Sequence, residues 1–215
     1  MTTIRLVSVN VGLPAVLGRH RGRPVQSGIV KAPVTTATLK LCELNLEGDA
    51  QADLTVHGGR EKAVYAYASE HFPVWRAELD RSDIGPGFFG ENLTTEGLTE
   101  DDVGVGDTWA WGDALLQVAQ PRWPCYKLTL RSGVGDMAAR FRSAGRTGWY
   151  FRVLRAGEVP VAGPLTVSRR HPAGVTILDA HRAALPGADR DLVERVLAVD
   201  ALSPEWRGHL TSRVR

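Results

Sequence analysis

Cysteine is scarce in this chain: 215 residues contain two, Cys42 and Cys125. They form no CxxC pair, which argues against a zinc ribbon or a thioredoxin-like centre. Spacing alone does not say whether they pair with each other. The first residues, Met1 to Leu6, lack the apolar segment of a signal peptide. No apolar run approaches the ~20 residues needed to span a bilayer. A cytoplasmic location with reduced thiols is therefore expected. Net charge is also lacking. Lys and Arg total 26 against 24 Asp and Glu, a surplus of +2, which gives no argument for a nucleic-acid or acidic-membrane partner. Any basic site has to be local. Internal repeats and low-complexity tracts are absent. So are GxSxG, HExxH, GxGxxG and P-loop signatures, and no carboxylate–histidine cluster is spaced for zinc or non-haem iron.

What is present is the composition of an ordinary globular domain, 43% hydrophobic and 23% charged. Alternation predicts strands over Ile4–Asn10, Gly28–Lys31 and Thr38–Leu44, the last with Cys42 on a strand face in a structural role. Gly12 to Pro24 reads as a loop, since Gly and Pro interrupt any period. Further strands are expected over Ala63–Tyr67, Asp107–Trp111, Ala114–Ala119, Trp149–Leu154 and Pro164–Ser168. Gly112-Asp113 forms a two-residue hairpin turn, and Ala156–Glu158 a further turn. Ser69 can cap a helix ending near Leu79, and Ser132 or Asp136 one ending before Gly145. Many short strands with glycine-rich turns indicate an antiparallel barrel.

From about His171 the strand signal ends. Thr176–Leu185, Asp189–Val199 and a helix opened by Ser203-Pro204 follow, each too short to be stable alone. The expected architecture is mainly β with α (α+β). A β-barrel domain over residues 1–170 is followed by a C-terminal three-helix segment over 171–215.

The stretch with most chemical character is Pro121-Arg122-Trp123-Pro124-Cys125-Tyr126-Lys127. Two prolines restrict the backbone around Trp123. Arg122 and Lys127 lie beside Cys125, and cationic neighbours favour the thiolate. A lone cysteine is nevertheless more commonly a small buried hydrophobe, and the segment by itself favours that reading. A Cys125–His57 dyad is arithmetically open but has no local support. The other candidates are the His57-Gly58-Gly59 turn and the basic residues Lys31, Lys62, Arg122 and Lys127. A soft sulfur ligand suits a metal centre, and basic side chains suit a phosphate-bearing cofactor. Singly, each of these lysines reads as a surface charge.

Taken together, the segments Gly28-Ile29-Val30-Lys31, Gly48-Asp49, His57-Gly58-Gly59 with Lys62-Ala63-Val64, Gly90-Glu91-Asn92-Leu93, Gly97-Leu98, Gly106-Asp107 and Gln120-Pro121-Arg122 with Pro124-Cys125-Tyr126-Lys127-Leu128 resemble the MOSC domain family, in its YiiM-like branch. The resemblance covers nearly the whole chain, the three-helix segment included. It implies a MOSC-type barrel that binds the molybdenum cofactor, with Cys125 as molybdenum ligand and catalytic residue. Lys31, His57, Lys62, Asn92 and Arg122 would surround the cofactor. The implied activity is reduction of N-hydroxylated compounds, such as hydroxylamino-purines and amidoximes, to amines or imines. Electrons would come from an external flavin- or iron–sulfur-containing protein, because this chain carries no such motif. Two other roles stay open: a sulfur carrier with a Cys125 persulfide, and a module that binds or stores the cofactor without turnover.

Overall fold

The structure is a computed structural model that describes residues 2–53 and 58–214, with side chains through residue 212. Its strands are β1 (Thr2–Val11), β2 (Ala15–His20), β3 (Arg23–Ser27), β4 (Ala32–Pro33), β5 (Thr38–Leu41), β6 (Val64–Ala68), β7 (Leu93–Glu96), β8 (Thr108–Trp111), β9 (Ala114–Pro121), β10 (Trp149–Arg155), β11 (Gly157–Pro160) and β12 (Gly163–Arg169). The helices are α1 (His71–Leu79), α2 (Tyr126–Ser132), α3 (Met137–Ala144), α4 (Ile177–Ala183), α5 (Arg190–Leu197) and α6 (Pro204–Val214). Seven strands close a barrel in the order β12-β8-β9-β10-β6-β7-β1, and β1 pairs back onto β12. Closure leaves no unpaired edge in the ring. The pairings are antiparallel except β6 with β7, which is parallel.

Side-chain alternation sorts the strands between two cores. On β6, Val64 and Ala66 point into the barrel, with Trp109, Val118, Trp149 and Phe151. Tyr65 and Tyr67 point outward into a second cluster with Phe72, Trp75, Phe89, Leu128 and Phe141, supplied mainly by α1, α2 and α3. All five β6 residues are consequently buried, which is why the strand reads as a continuous apolar run. On β1 the period is broken. A register shift against β7 falls between Leu6 and Ser8. It turns Val9 to the core, where simple alternation placed it opposite Ile4 and Leu6.

Several local expectations are corrected. Residues 12–24 are not a plain loop: β2 and β3 form a hairpin whose turn holds Arg21 at φ 49° and Gly22 at φ 78°. Gly28–Lys31 is irregular, and the strand there is the short β4 with Pro33 inside it. Cys42 lies beyond the end of β5 and is exposed, so it packs no strand face. Gly157–Pro160 is a strand paired with β5 rather than part of a turn. These misses share a cause. Short two-stranded pairings are set by distant partners and turn geometry, so they leave little local periodicity.

The C-terminal helices follow their capping signals. Thr176 and Asp179 form a reciprocal capping box on α4, Asp189 caps α5, and Ser203 Oγ accepts from Trp206 N at 3.1 Å. Ala180, Val196, Leu202, Trp206 and Leu210 join the barrel cluster, so the helices share one core with the barrel. Among the described residues no helix is long and apolar enough to cross a membrane. Phe151 sits at the centre of this core, fully buried and edge-on to Trp109 with ring centres 5.1 Å apart. Phe151→Ala is expected to lower unfolding free energy by about 3–5 kcal/mol, measured by denaturant titration.

Candidate functional site

A pocket opens on the outer side of the barrel wall, where Tyr65 of β6 faces its cross-strand partner Tyr150 of β10. Four other stretches complete it: residues 27–31 at the end of β3 and just beyond, residues 49–52, Gly90 and Asn92 before β7, and Arg122 to Lys127 after β9. Lys62 closes one side. Lys31, Lys62, Asn92, Arg122 and Cys125, far apart in sequence, thus line one cavity. His57, the remaining predicted site residue, lies outside the described residues.

The cysteine loop is built differently from its sequence reading. Cys125 is extended (φ −127°, ψ 177°) and opens helix α2 directly, with Leu128 N donating to Cys125 O at 3.0 Å. It is partly exposed and in no disulfide. The buried-hydrophobe reading therefore does not hold for this thiol. Trp123 anchors the loop from behind, lying 5.7 Å from Trp206, 5.9 Å from His181 and 5.1 Å from His209 between ring centres. The C-terminal helices thereby brace the segment that presents Cys125. They also reach the pocket electrostatically: Glu205 of α6 accepts from Lys62 Nζ at 2.6 Å.

The floor is a buried polar network. Lys31 Nζ pairs with Asp49, and both side chains are almost fully buried. Asp49 also accepts from Gly12 N and Asn92 Nδ2, each at 2.9 Å. Burial lowers the Lys31 ammonium below its usual range, and the Asp49 carboxylate partly offsets this. Asn92 is engaged on both ends of its amide. Its Oδ1 accepts from Tyr65 N at 3.1 Å, and its Nδ2 donates to Asn10 O at 3.2 Å as well as to Asp49. Asn92 thus ties β6 to β1 and orients the Lys31–Asp49 pair. With both ends occupied it has little left to donate to a ligand.

Arg122 is buried over the ring of Tyr65, with its guanidinium carbon 4.6 Å from the ring centre, and donates from Nη1 to Phe89 O at 2.6 Å. Burial works against its charge, while the Tyr65 and Tyr150 oxygens and the Cys125 sulfur hold it above its usual value. A permanent cation beside Cys125 stabilises a thiolate. Gly28 permits close approach at the rim: a Cβ there would lie 2.3 Å from Ala50 O.

Lys127, a candidate from the sequence, also lines the cavity, whereas Asp49 and Tyr150 are site residues that the sequence did not assign. Gly48-Asp49 reads as turn chemistry, and Tyr150 sits inside a strand whose outward face becomes a pocket wall only after the barrel closes. Glu91 lies just behind the site, fully buried. It accepts from Gly87 N at 2.6 Å, Phe89 N at 3.1 Å and Thr94 Oγ1 at 3.0 Å.

Among proteins of known sequence and structure, the MOSC domain family matches residues 53–166, and the YiiM-like, 3-alpha helix domain family matches residues 175–215. The chain is 40% identical to protein YiiM of Escherichia coli over 197 residues, covering 89% of this chain and 85% of that protein. It is 33% identical over 182 residues to a protein named reductase from Gibberella moniliformis, covering 79% of this chain but 32% of that longer protein. The crystal structure of YiiM from Geobacillus stearothermophilus superposes with a TM-score of 0.80 at 32% identity, covering 99% of this chain and 100% of that one. The chain belongs to the MOSC domain family, in its YiiM-like branch. Membership points to a function associated with the molybdenum cofactor.

Burial raises Glu91 to about 7, although the backbone N–H groups it accepts from pull the other way. A carboxyl raised on folding stabilises below its unfolded value and loses that contribution as pH rises through its folded one. Unfolding free energy should therefore fall by a few kcal/mol between about pH 4.5 and 7. Glu91→Gln should flatten that slope in denaturant titrations run across the same range.

Proposed function

We propose that this protein binds the molybdenum cofactor in the Cys125 pocket and reduces N-hydroxylated small molecules, such as hydroxylamino-purines and amidoximes, to amines or imines. One observation carries the reading. A partly exposed thiol stands in a pocket to which Lys31, Lys62, and Arg122 with Lys127 bring cationic side chains from three stretches of chain. This donor set fits the group: sulfur suits a soft or high-valent metal, and clustered cations suit a phosphate. The name of the Gibberella relative supports a reductive direction.

When bound, the cofactor would supply the two-electron redox chemistry that side chains lack. The chain's own groups hold and orient. Cys125 offers its sulfur from the N-cap of α2, with the Arg122 cation close by. Lys62, on the pocket wall and paired with Glu205, which is 59% exposed, can turn its charge to a phosphate when Glu205 swings out to solvent. Cleaving N–O and releasing water consumes two protons. Lys31, whose ammonium yields its proton more readily than an ordinary lysine, can pass one while Asp49 holds it in place. Electrons arrive from an external flavin- or iron–sulfur-containing donor.

The test is to produce the protein in cells that make the cofactor, quantify molybdenum per chain, and assay reduction of a hydroxylamino-purine with an artificial donor. Wild type should carry metal and turn over. Cys125→Ala should fall to background, and Lys62→Ala should lose about ten-fold in cofactor affinity, as expected for one charge-assisted contact. Metal-free protein under these conditions, full activity in Cys125→Ala, or a labile sulfur on Cys125 without metal would refute the reading.

A further inference from the structure

The cofactor pocket continues into a second recess. Lys127 lines both, Gln51 and Ala52 line the pocket while the next residue, Asp53, lines the recess, and β3 leads from Arg23 in the recess to Ser27 at the pocket wall. The recess is roofed by the β2–β3 hairpin, which the sequence did not show. Its walls carry Arg21, Arg23 and Lys127 against the single carboxylate of Asp53. Three cations against one carboxylate leave the recess a local surplus of +2. The hairpin is held in place. His20 stacks on Tyr126 with ring centres 4.3 Å apart and planes inclined 27°. Arg19 folds back onto its own turn, donating to Gly22 O at 2.7 Å from Nη2 and 3.2 Å from Nε. Arg19 is thereby turned to tying the hairpin, while Arg21 and Arg23 face the recess.

We propose that this recess binds the phosphate of a nucleotide, so that the substrate is a phosphorylated nucleoside bearing an N-hydroxylated base rather than the bare base. The inference rests on the proposed reading of the Cys125 pocket. Four residues of strand separate Arg23 from Ser27, roughly 13 Å at ~3.3 Å per residue. A base placed in the pocket beside Cys125 would therefore project its sugar and phosphate along β3 toward the arginines. Arginine pairs with phosphate through two parallel N–H donors, and two arginines and a lysine offset by Asp53, a surplus of +2, match a monophosphate in charge. A bare base would not reach Arg21 and Arg23.

Calorimetric titration of the full-length protein as purified tests this, with adenosine, adenosine monophosphate, adenosine diphosphate and inorganic pyrophosphate as probes. The nucleotides should bind about ten-fold or more tightly than adenosine. The R21A/R23A double variant should lose that preference while keeping its adenosine affinity and its circular dichroism. Equal binding of adenosine and nucleotides, or an undiminished preference in R21A/R23A, would overturn the proposal. Pyrophosphate binding as tightly as the nucleotides would show a simple anion site and overturn it too, as would salt-sensitive capture of an acidic electron-donor protein with no nucleotide preference. The readout needs no turnover. A protein that binds molybdenum normally but shows no phosphate preference fails here alone, and a metal-free protein that keeps the preference fails only in the redox reading.

Discussion

Burial of β6 on both of its faces is the constraint on which the site depends. Val64 and Ala66 complete the barrel interior, while Tyr65 and Tyr67 are the root of the second cluster under α1, α2 and α3. A strand covered on both sides cannot slip by one residue without exchanging two apolar sets. Its register against β10 is therefore fixed, with Tyr65 opposite Tyr150. That pair is the back wall of the pocket. Arg122 stacks on it, and Asn92 clamps the backbone of the same tyrosine. The cations and the thiol of the site are thus referred to one rigid strand pair.

The second feature is the manner in which buried charge is held. Lys31 keeps a carboxylate partner that is itself satisfied by a backbone N–H and an amide. Such an arrangement avoids the penalty of an uncompensated buried ion. Lys62, by contrast, is paired with a half-exposed glutamate on α6. One carboxylate partner is enclosed and the other reaches solvent, so the two cations differ in how their charge is compensated. The helical segment contributes twice, through Glu205 and through Trp206 behind Trp123. It is as much a part of the site as the barrel.

Much of this was legible in the sequence, and the parts that were not have physical reasons. Long alternating runs such as β9 and β10 announce themselves, as do the capped helices at Thr176, Asp189 and Ser203. The convergence of Lys31, Lys62, Asn92, Arg122 and Cys125 followed from the family pattern, since periodicity says nothing about which loops meet. The β2–β3 hairpin stayed hidden because its stability derives from docking on α2 through His20 and Tyr126. Helix α2 was hidden as well. It starts immediately after a proline-rich stretch, and its N-terminal residue is a cysteine without a capping bond. Asp49 and Tyr150 acquire meaning only once the barrel closes.

The central claim is that the Cys125 sulfur is a ligand to molybdenum in this pocket. X-ray absorption at the molybdenum edge, on protein purified from cofactor-producing cells, reads that bond directly. The sulfur shell should lose one neighbour in Cys125→Ser relative to wild type, the sulfurs of the cofactor's own dithiolene remaining in both. An unchanged sulfur shell in Cys125→Ser would contradict the account.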